Sequence, residues 1–309
     1  MQKKTLLAAA VLVLVVGASL SAFSLYQGSG YSGALAKASN YLARSYNPKL
    51  GLFSQTPGGS TYFVYPDSFL AAEALASSGN STLKKIAVNA TYTDNVYLAH
   101  LKSPQSQYEV MTSTKGAFFA PSNYVLATVG GATIEVTLNN GTMPVSPASH
   151  ADLAFLEALY FARVLPHPEA VGSFELGLRL FDGYGLRDAA YAGTYQTYKL
   201  ALMDYVGKVL GFQAPGGLEA NLTKMQAPNG GFYEGYTDRF SSNGTATNTA
   251  TTSLAMLALS EAAPARGILG YSFLPLFVAA VIAVVLLEAA ALKRRSEKEK
   301  ELGIQIEVL

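Results

Sequence analysis

The stretch Ile268 to Leu287, ILGYSFLPLFVAAVIAVVLL, carries no charged residue, and any fold for this chain has to accommodate it. At ~1.5 Å of rise per residue a helix of that length spans ~30 Å, the thickness of a bilayer's hydrocarbon core. A transmembrane helix is therefore expected over 266–292. Lys293, Arg294 and Arg295 follow it, with no matching basic cluster on its N-terminal side. The positive-inside tendency then places the tail, 293–309, in the cytoplasm and everything before the span outside. The tail's mixed run SEKEKE reads as a solvated, ion-paired continuation of the helix.

Residues 1–30 open with Lys3 and Lys4, run apolar from Leu6 to Val16, and then meet Gly17, Ala18, Ser19, Ser21 and Ala22. In outline this is a secretory signal. An uncleaved anchor is the alternative, because Thr5 to Leu25 is itself long enough to span. Both versions give a plasma-membrane protein with an extracellular ectodomain, 31–265, and a cytoplasmic C-terminus. The bilayer is thus one expected partner.

The whole chain holds 22 Lys plus Arg and 21 Asp plus Glu, of which 14 basic and 16 acidic residues fall in 31–265. That near balance argues against a nucleic-acid partner. Cysteine is absent, which excludes thiol chemistry, and a core of this size needs no disulfide staples. Five Asn-x-Ser/Thr triplets, at Asn80, Asn89, Asn140, Asn221 and Asn243, all lie in the exported part and are expected to carry glycans in a host that glycosylates.

Helical spacing appears first at Ala34, Leu35, Ala38, Tyr41 and Leu42, and Asn47-Pro48 ends that helix. Pro66 opens a second, Asp67 to Ser78, so apolar that it must be covered on most sides. Ser81 to Lys102 reads as a broken helix. The period then changes to two: Tyr124–Val129 and Ala132–Leu138 flank Gly130-Gly131, a hairpin within a β insertion at about 106–140 that begins with Gln107 to Ser113. Asn139-Asn140-Gly141 makes the next turn and sets the Asn140 triplet at its tip. Helices resume at Ser149, an expected N-cap with Asp152 three residues on. Pro166 and Pro168 divide this helix from the next, which Gly183 stops. Tyr195–Leu210, a short segment with Leu218, Leu222 and Met225, and Thr249–Ala262, capped by Asn248, complete the ectodomain.

Three times the chain runs from a glycine-aromatic loop into an apolar helix. Gly51-Leu52-Phe53 leads to Ser68-Phe69-Leu70-Ala71, Gly183-Tyr184-Gly185 to Tyr198-Lys199-Leu200-Ala201, and Gly230-Gly231-Phe232 to Thr252-Ser253-Leu254-Ala255. Repeated helix pairs bury their apolar faces against their neighbours. With Asn229-Gly-Gly-Phe232 followed by Thr251-Thr252-Ser253-Leu254-Ala255, the stretch Tyr31 to Ala263 resembles the α/α-toroid superfamily, helical-hairpin barrels that include six-hairpin glycosidases and terpene cyclases. The resemblance implies a mainly α fold, an incomplete toroid of hairpins carrying the β-hairpin insertion, ahead of the transmembrane helix. A full ring has twelve helices and this chain has eight or nine. An ordinary antiparallel bundle without a cleft is the competing reading.

In a toroid the loops entering the inner helices converge at one end. That singles out Asp67, Asp182, Asp188, Glu234 and Asp238 as candidate catalytic carboxylates and Arg187, Tyr236 and Asn248 as candidate binding residues. Glycoside hydrolysis needs two carboxylates about 5 to 9.5 Å apart, and no sequence spacing here fixes a pair. The competing reading is structural: Asp67 in a helix's first turn favours the dipole, and Asp182 belongs to a turn beside Gly183. Tryptophan is absent, so carbohydrate stacking falls to Tyr and Phe. The Asp-x-Asp-Asp and cysteine-thioester motifs of toroid enzymes are missing, as are the phosphate loop and the Gly-x-Ser-x-Gly elbow. His100, His150 and His167 lack metal-ligand spacing, so no metal or other cofactor is expected. The expected function is non-catalytic binding of a glycan, a peptide or an envelope protein, with a carbohydrate-active hydrolase or lyase as the alternative.

Overall fold

The computed structural model describes residues 30–77, 88, 118–119, 122–138, 144–164, 167–212, 216–242 and 244–261. The signal segment, the helix expected at 81–102, the strand expected at 107–113, the transmembrane stretch and the triplets at Asn80, Asn89, Asn140 and Asn243 lie outside them. Among the described residues no helix is long and apolar enough to cross a membrane. The chain divides into two compact units, Met1–Pro264 and Ala265–Leu309, and everything below concerns the first.

That unit is mainly helical. Its described helices are α1 (Ser32–Ser45), α2 (Tyr65–Ser77), α3 (Ala151–Val164), α4 (His167–Leu178), α5 (Thr197–Val209), α6 (Leu218–Lys224) and α7 (Thr249–Ser260). The breakers act where the sequence puts them: α1 stops before Asn47-Pro48, Pro66 sits in the first turn of α2, and α4 opens with His167-Pro168 after α3 ends at Val164. Helix α7 starts at Asn248, whose Oδ1 accepts the Thr251 N–H at 2.7 Å. Ser149 does not cap α3. Its hydroxyl donates to Ser146 O instead, and the Ala151 N–H is taken by the carboxylate of Asp188, 37 residues further on.

Helices α3, α5, α7 and α2 pack side by side in that order, and α4, α6 and α1 lie over successive pairs of them. The two central members are enclosed on nearly every side. All of α5 except Tyr198 and Val209, and all of α7 except Ala250 and Ser260, is buried. A helix so enclosed buries residues all round, Lys199, Asp204 and Lys208 included, which is why a simple stripe of Tyr198, Leu202, Tyr205 and Val209 under-describes α5; Val209 is in fact exposed. One core joins these helices, with Tyr41, Phe53, Phe155, Tyr195, Phe232 and Tyr236 among its largest members. Among the described residues the helices do not close into a ring.

The β insertion forms a hairpin, β5 (Ser122–Val129) and β6 (Ala132–Leu138), around Gly130-Gly131, whose φ values of 56° and 83° suit a two-residue hairpin turn. Ile134 and Val136 face a small core of their own with Leu52, Phe63 and Tyr65. The sheet has a third member that local pattern does not reveal: β3 (Tyr62–Val64) pairs parallel with β6, Tyr62 opposite Thr133 and Val64 opposite Glu135. The short strand β4 (Phe118–Phe119) pairs with β7 (Pro144–Val145). Elsewhere β1 (Tyr46–Asn47) pairs with β2 (Leu52–Phe53), and β8 (Tyr195–Gln196) with β9 (Gly235–Tyr236).

Candidate functional site

The loops of the repeat place their apolar residues by a shared device. Phe53 N–H donates to Ser68 Oγ at 3.0 Å, and Phe232 N–H donates to Thr252 Oγ1 at 3.0 Å. Ser68 and Thr252 are both the fourth residue of their helix, α2 and α7, and both phenylalanines are wholly buried. The fourth residue of α5 is Leu200, which has no hydroxyl. In that loop Leu186 enters the core, and the aromatic Tyr184 is turned out, 49 % exposed.

Beyond these anchors, the N-terminal ends of α3, α5, α7 and α2 are tied by one run of polar contacts. Tyr198 of α5 donates its hydroxyl to Asp152 Oδ2 of α3 at 2.8 Å. The next residue back, Thr197, donates its N–H to Glu234 O at 2.9 Å, and Glu234 Oε1 accepts Asn248 Nδ2 at 2.9 Å. Thr249, which opens α7, donates its N–H to Gln55 O, and Gln55 Nε2 in turn donates to Asp67 Oδ2 of α2. Four helix N-termini therefore meet at one end of the unit, where their dipoles favour negative charge. Asp67, Glu234 and Asn248 are brought together there, with Gln55, Asp152 and Tyr198 added.

The carboxylates at this end differ in environment. Burial pushes the Asp67 carboxyl up to about 6, against the pull of the Gln55 hydrogen bond. Asp188 is buried in an ion pair with Lys199, whose side chain is only 2 % exposed, and it accepts the N–H groups of Ala151 and Ala190 as well. Lys199 also lies 3.9 Å from Asp152. A lysine this buried is tolerated because its charge is matched. Asp188 thus fastens the loop to α3 and α5. Lys199 stood in the sequence as the one charge in the run TYKLALM, and that setting was its signal.

Asp182, Arg187 and Tyr236 form a second group nearby in the chain. Asp182 Oδ1 accepts the N–H groups of Tyr184 and Gly185, and its Oδ2 accepts Tyr195 Oη at 2.6 Å and stands 2.7 Å from Arg187 Nε. Partial desolvation would raise this carboxyl, but those hydrogen bonds and the guanidinium outweigh it and hold it below the usual range. Tyr236 is wholly buried, stacked on Tyr195 at 5.4 Å between centroids, with its hydroxyl on Tyr184 O. Gly185 permits that stack, since a Cβ there would stand 2.4 Å from the Tyr195 ring. Burial pushes the Tyr236 phenol far up, so it stays protonated.

What this group shows to solvent is Tyr184 and the Arg187 side chain, 58 % exposed, whose guanidinium lies 5.1 Å from the Tyr191 ring centre. Phe240 stacks on Tyr236 at 5.7 Å and holds φ of 52°, a left-handed conformation that costs a bulky residue energy. Asp238 is exposed on the turn before it, closed by Phe240 N–H to Thr237 O. Asn221, the one described triplet asparagine, sits in α6 with its side-chain oxygen accepting Lys224 Nζ. Among the described residues no group of acidic or histidine side chains is placed to hold a metal ion. Comparison with protein-family models, with curated proteins and with solved structures gave no match.

Proposed function

We propose that this chain is a membrane-anchored cell-surface protein whose helical ectodomain binds a glycan at the end where its helix N-termini meet. In this reading the row α3, α5, α7, α2 is the inner layer of an incomplete α/α-toroid. Its order follows the chain and brings the last helix back against the first hairpin, as in a ring interrupted by the β insertion. The carrying observation is the continuous polar run from Asp152 to Asp67, amides, hydroxyls and carboxylates of the kind that bond sugar hydroxyls. The partly exposed rings of Tyr184 and Tyr191 with Arg187 supply the stacking that tryptophan gives elsewhere. A peptide or another envelope protein is the competing partner, and the span and tail expected at 266–309 keep the C-terminus in the cytoplasm.

One observation favours a catalytic second reading. Asp67, its carboxyl held up near 6 by burial, has the raised value that a general acid requires. A glycan array probed with the full-length protein in detergent micelles decides between them. Binding without release of new reducing ends, weakened in Tyr184→Ala and kept in Asp67→Asn, is the expected result. Reducing ends released by the wild type and not by Asp67→Asn would establish the enzyme instead. Binding of peptides alone would remove the glycan reading.

A further inference from the structure

On another set of residues, α1 and the turn Pro228–Gly230 border an open groove of about 450 Å³. Along one wall stand Lys37, Asn40 and Arg44, whose i, i+3, i+7 spacing sets them on one helix face. Lys37 and Arg44 are two turns apart, ~10 Å along the axis. The facing wall is the Asn-Gly-Gly phrase that opens the third repeat, and its contacts make it rigid. Arg44 Nη2 donates to Asn229 O at 2.6 Å and its Nε to Asn40 O at 3.3 Å. The Asn229 side chain is pinned in turn, its Oδ1 by the Gly231 N–H and its Nδ2 on Thr247 Oγ1. Gly230 has φ of 93°, and a Cβ there would come within 2.4 Å of Lys37 O. Glycine is the residue that lets the turn lie this close to α1.

The charge on this groove is one-sided. No acidic residue lines it, and among the described residues neither Lys37 nor Arg44 is in an ion pair. The two bonds made by Arg44 use Nε and Nη2, which keeps Nη1 for an incoming acceptor. Apolar lining is limited to Ala43 and Pro228, too little for the side-chain pockets by which peptides are recognised. We propose that this groove is a second binding site, specific for a carboxylate-bearing saccharide such as a uronate oligomer. One carboxylate pairs with the Arg44 guanidinium and another with the Lys37 ammonium, and the Asn40 amide between them bonds sugar hydroxyls. A guanidinium held in place by two carbonyls gives the shape-matched half of the site, and the lysine gives a point charge.

The groove shares no lining residue with the belt of helix N-termini or with Tyr184. Calorimetric titration of the full-length protein in detergent micelles with trigalacturonate tests it. Saturable binding is expected, weakened at least about tenfold for the trimethyl ester, which keeps every hydroxyl and loses every charge. Lys37→Gln should weaken it at least about fivefold, Lys37→Arg should leave it within about twofold, and Tyr184→Ala should not change it. Asn40→Asp, which puts a carboxylate between the two cations, should abolish it in a protein that melts normally. Absence of binding overturns the proposal, as does equal affinity for the ester or an unchanged Lys37→Gln. Equal or tighter binding of hexaglutamate would make the site one for acidic peptide, and equal binding of sulfate would reduce it to a bare anion site. Either result refutes the saccharide assignment without touching the glycan reading of the N-terminal belt.

Discussion

Buried charge sets the most severe residue-level constraints on this fold. Lys199 is enclosed with Asp188, and Lys208, 3 % exposed, reaches three elements at once: Asp204 on its own helix, Glu219 on α6, and the Ala258 carbonyl on α7. Asp188→Ala should therefore cost about 3 to 5 kcal/mol in chemical denaturation, because it strands the Lys199 ammonium and also orphans the Ala151 N–H. A cost below ~1 kcal/mol would show that Lys199 finds water or Asp152 instead. Asp67 and Asp204 add a pH dependence. Both are pushed up to about 6 by burial, and Lys208 stands 3.1 Å from Asp204 but out of line for a hydrogen bond. A carboxyl whose folded value exceeds its unfolded one stabilises the fold when protonated. That stability is complete below about pH 4 and is lost as pH rises through about 6. For Asp67 the loss is at most about 3 kcal/mol. Asp67→Asn, which still offers an oxygen to Gln55, should flatten the fall in stability between pH 4 and 7; parallel profiles would place Asp67 in water. Asp67, Asp188 and Glu234 were legible from the repeat, and Asp152 was not. The lysine partners were not either, since pairing across 11 residues or between helices leaves no periodic trace.

At the scale of elements, the seven described helices obey their local signals, and the departures come from distant contacts. Asn248 caps α7 as its position next to the apolar run implies, so Asn248→Ala should lower stability by about 1 kcal/mol and release Glu234. Leu254 is buried on the same helix, and Leu254→Ala should cost about 2 to 5 kcal/mol through the cavity it leaves. Glu234→Ala, exposed, should stay under about 1 kcal/mol. Thermal melts of the three variants should fall from Glu234→Ala through Asn248→Ala to Leu254→Ala, the lowest. If Glu234→Ala melts as low as Leu254→Ala, the belt is a structural clasp and not a surface for ligand. The hairpin β5–β6 was legible from its alternation and its Gly-Gly turn. Its parallel partner Tyr62–Val64 was not, because a three-residue strand in a glycine-rich loop has no period of its own. Ser149 misled for a related reason: Asp188 is the stronger acceptor, and only the tertiary fold brings it to the N-terminus of α3.

For the whole molecule, the order of the helices is what the repeat made readable. Each glycine-aromatic loop delivers its helix to the shared row, and the same hydroxyl contact recurs at Ser68 and Thr252. The meeting of α7 with α1 and α2 was not readable, since it joins residues about two hundred positions apart, as in the contact of Ser39 with Met256. The function proposed for the N-terminal belt and the groove also depends on which side of a membrane they face. Lys3 and Lys4 precede the first apolar stretch, and Lys293, Arg294 and Arg295 follow the last. In the proposed reading the helical unit lies outside and Leu309 inside, whether the first stretch is cleaved or kept, because basic residues sit at the two outer flanks. Protease added to intact cells should then remove an epitope inserted after Asp238, on the exposed turn, and spare one appended to Leu309. Permeabilised cells should lose both. An Asp238 epitope that survives on intact cells, beside a digested Leu309 epitope, would invert the chain and leave both saccharide sites facing the cytoplasm.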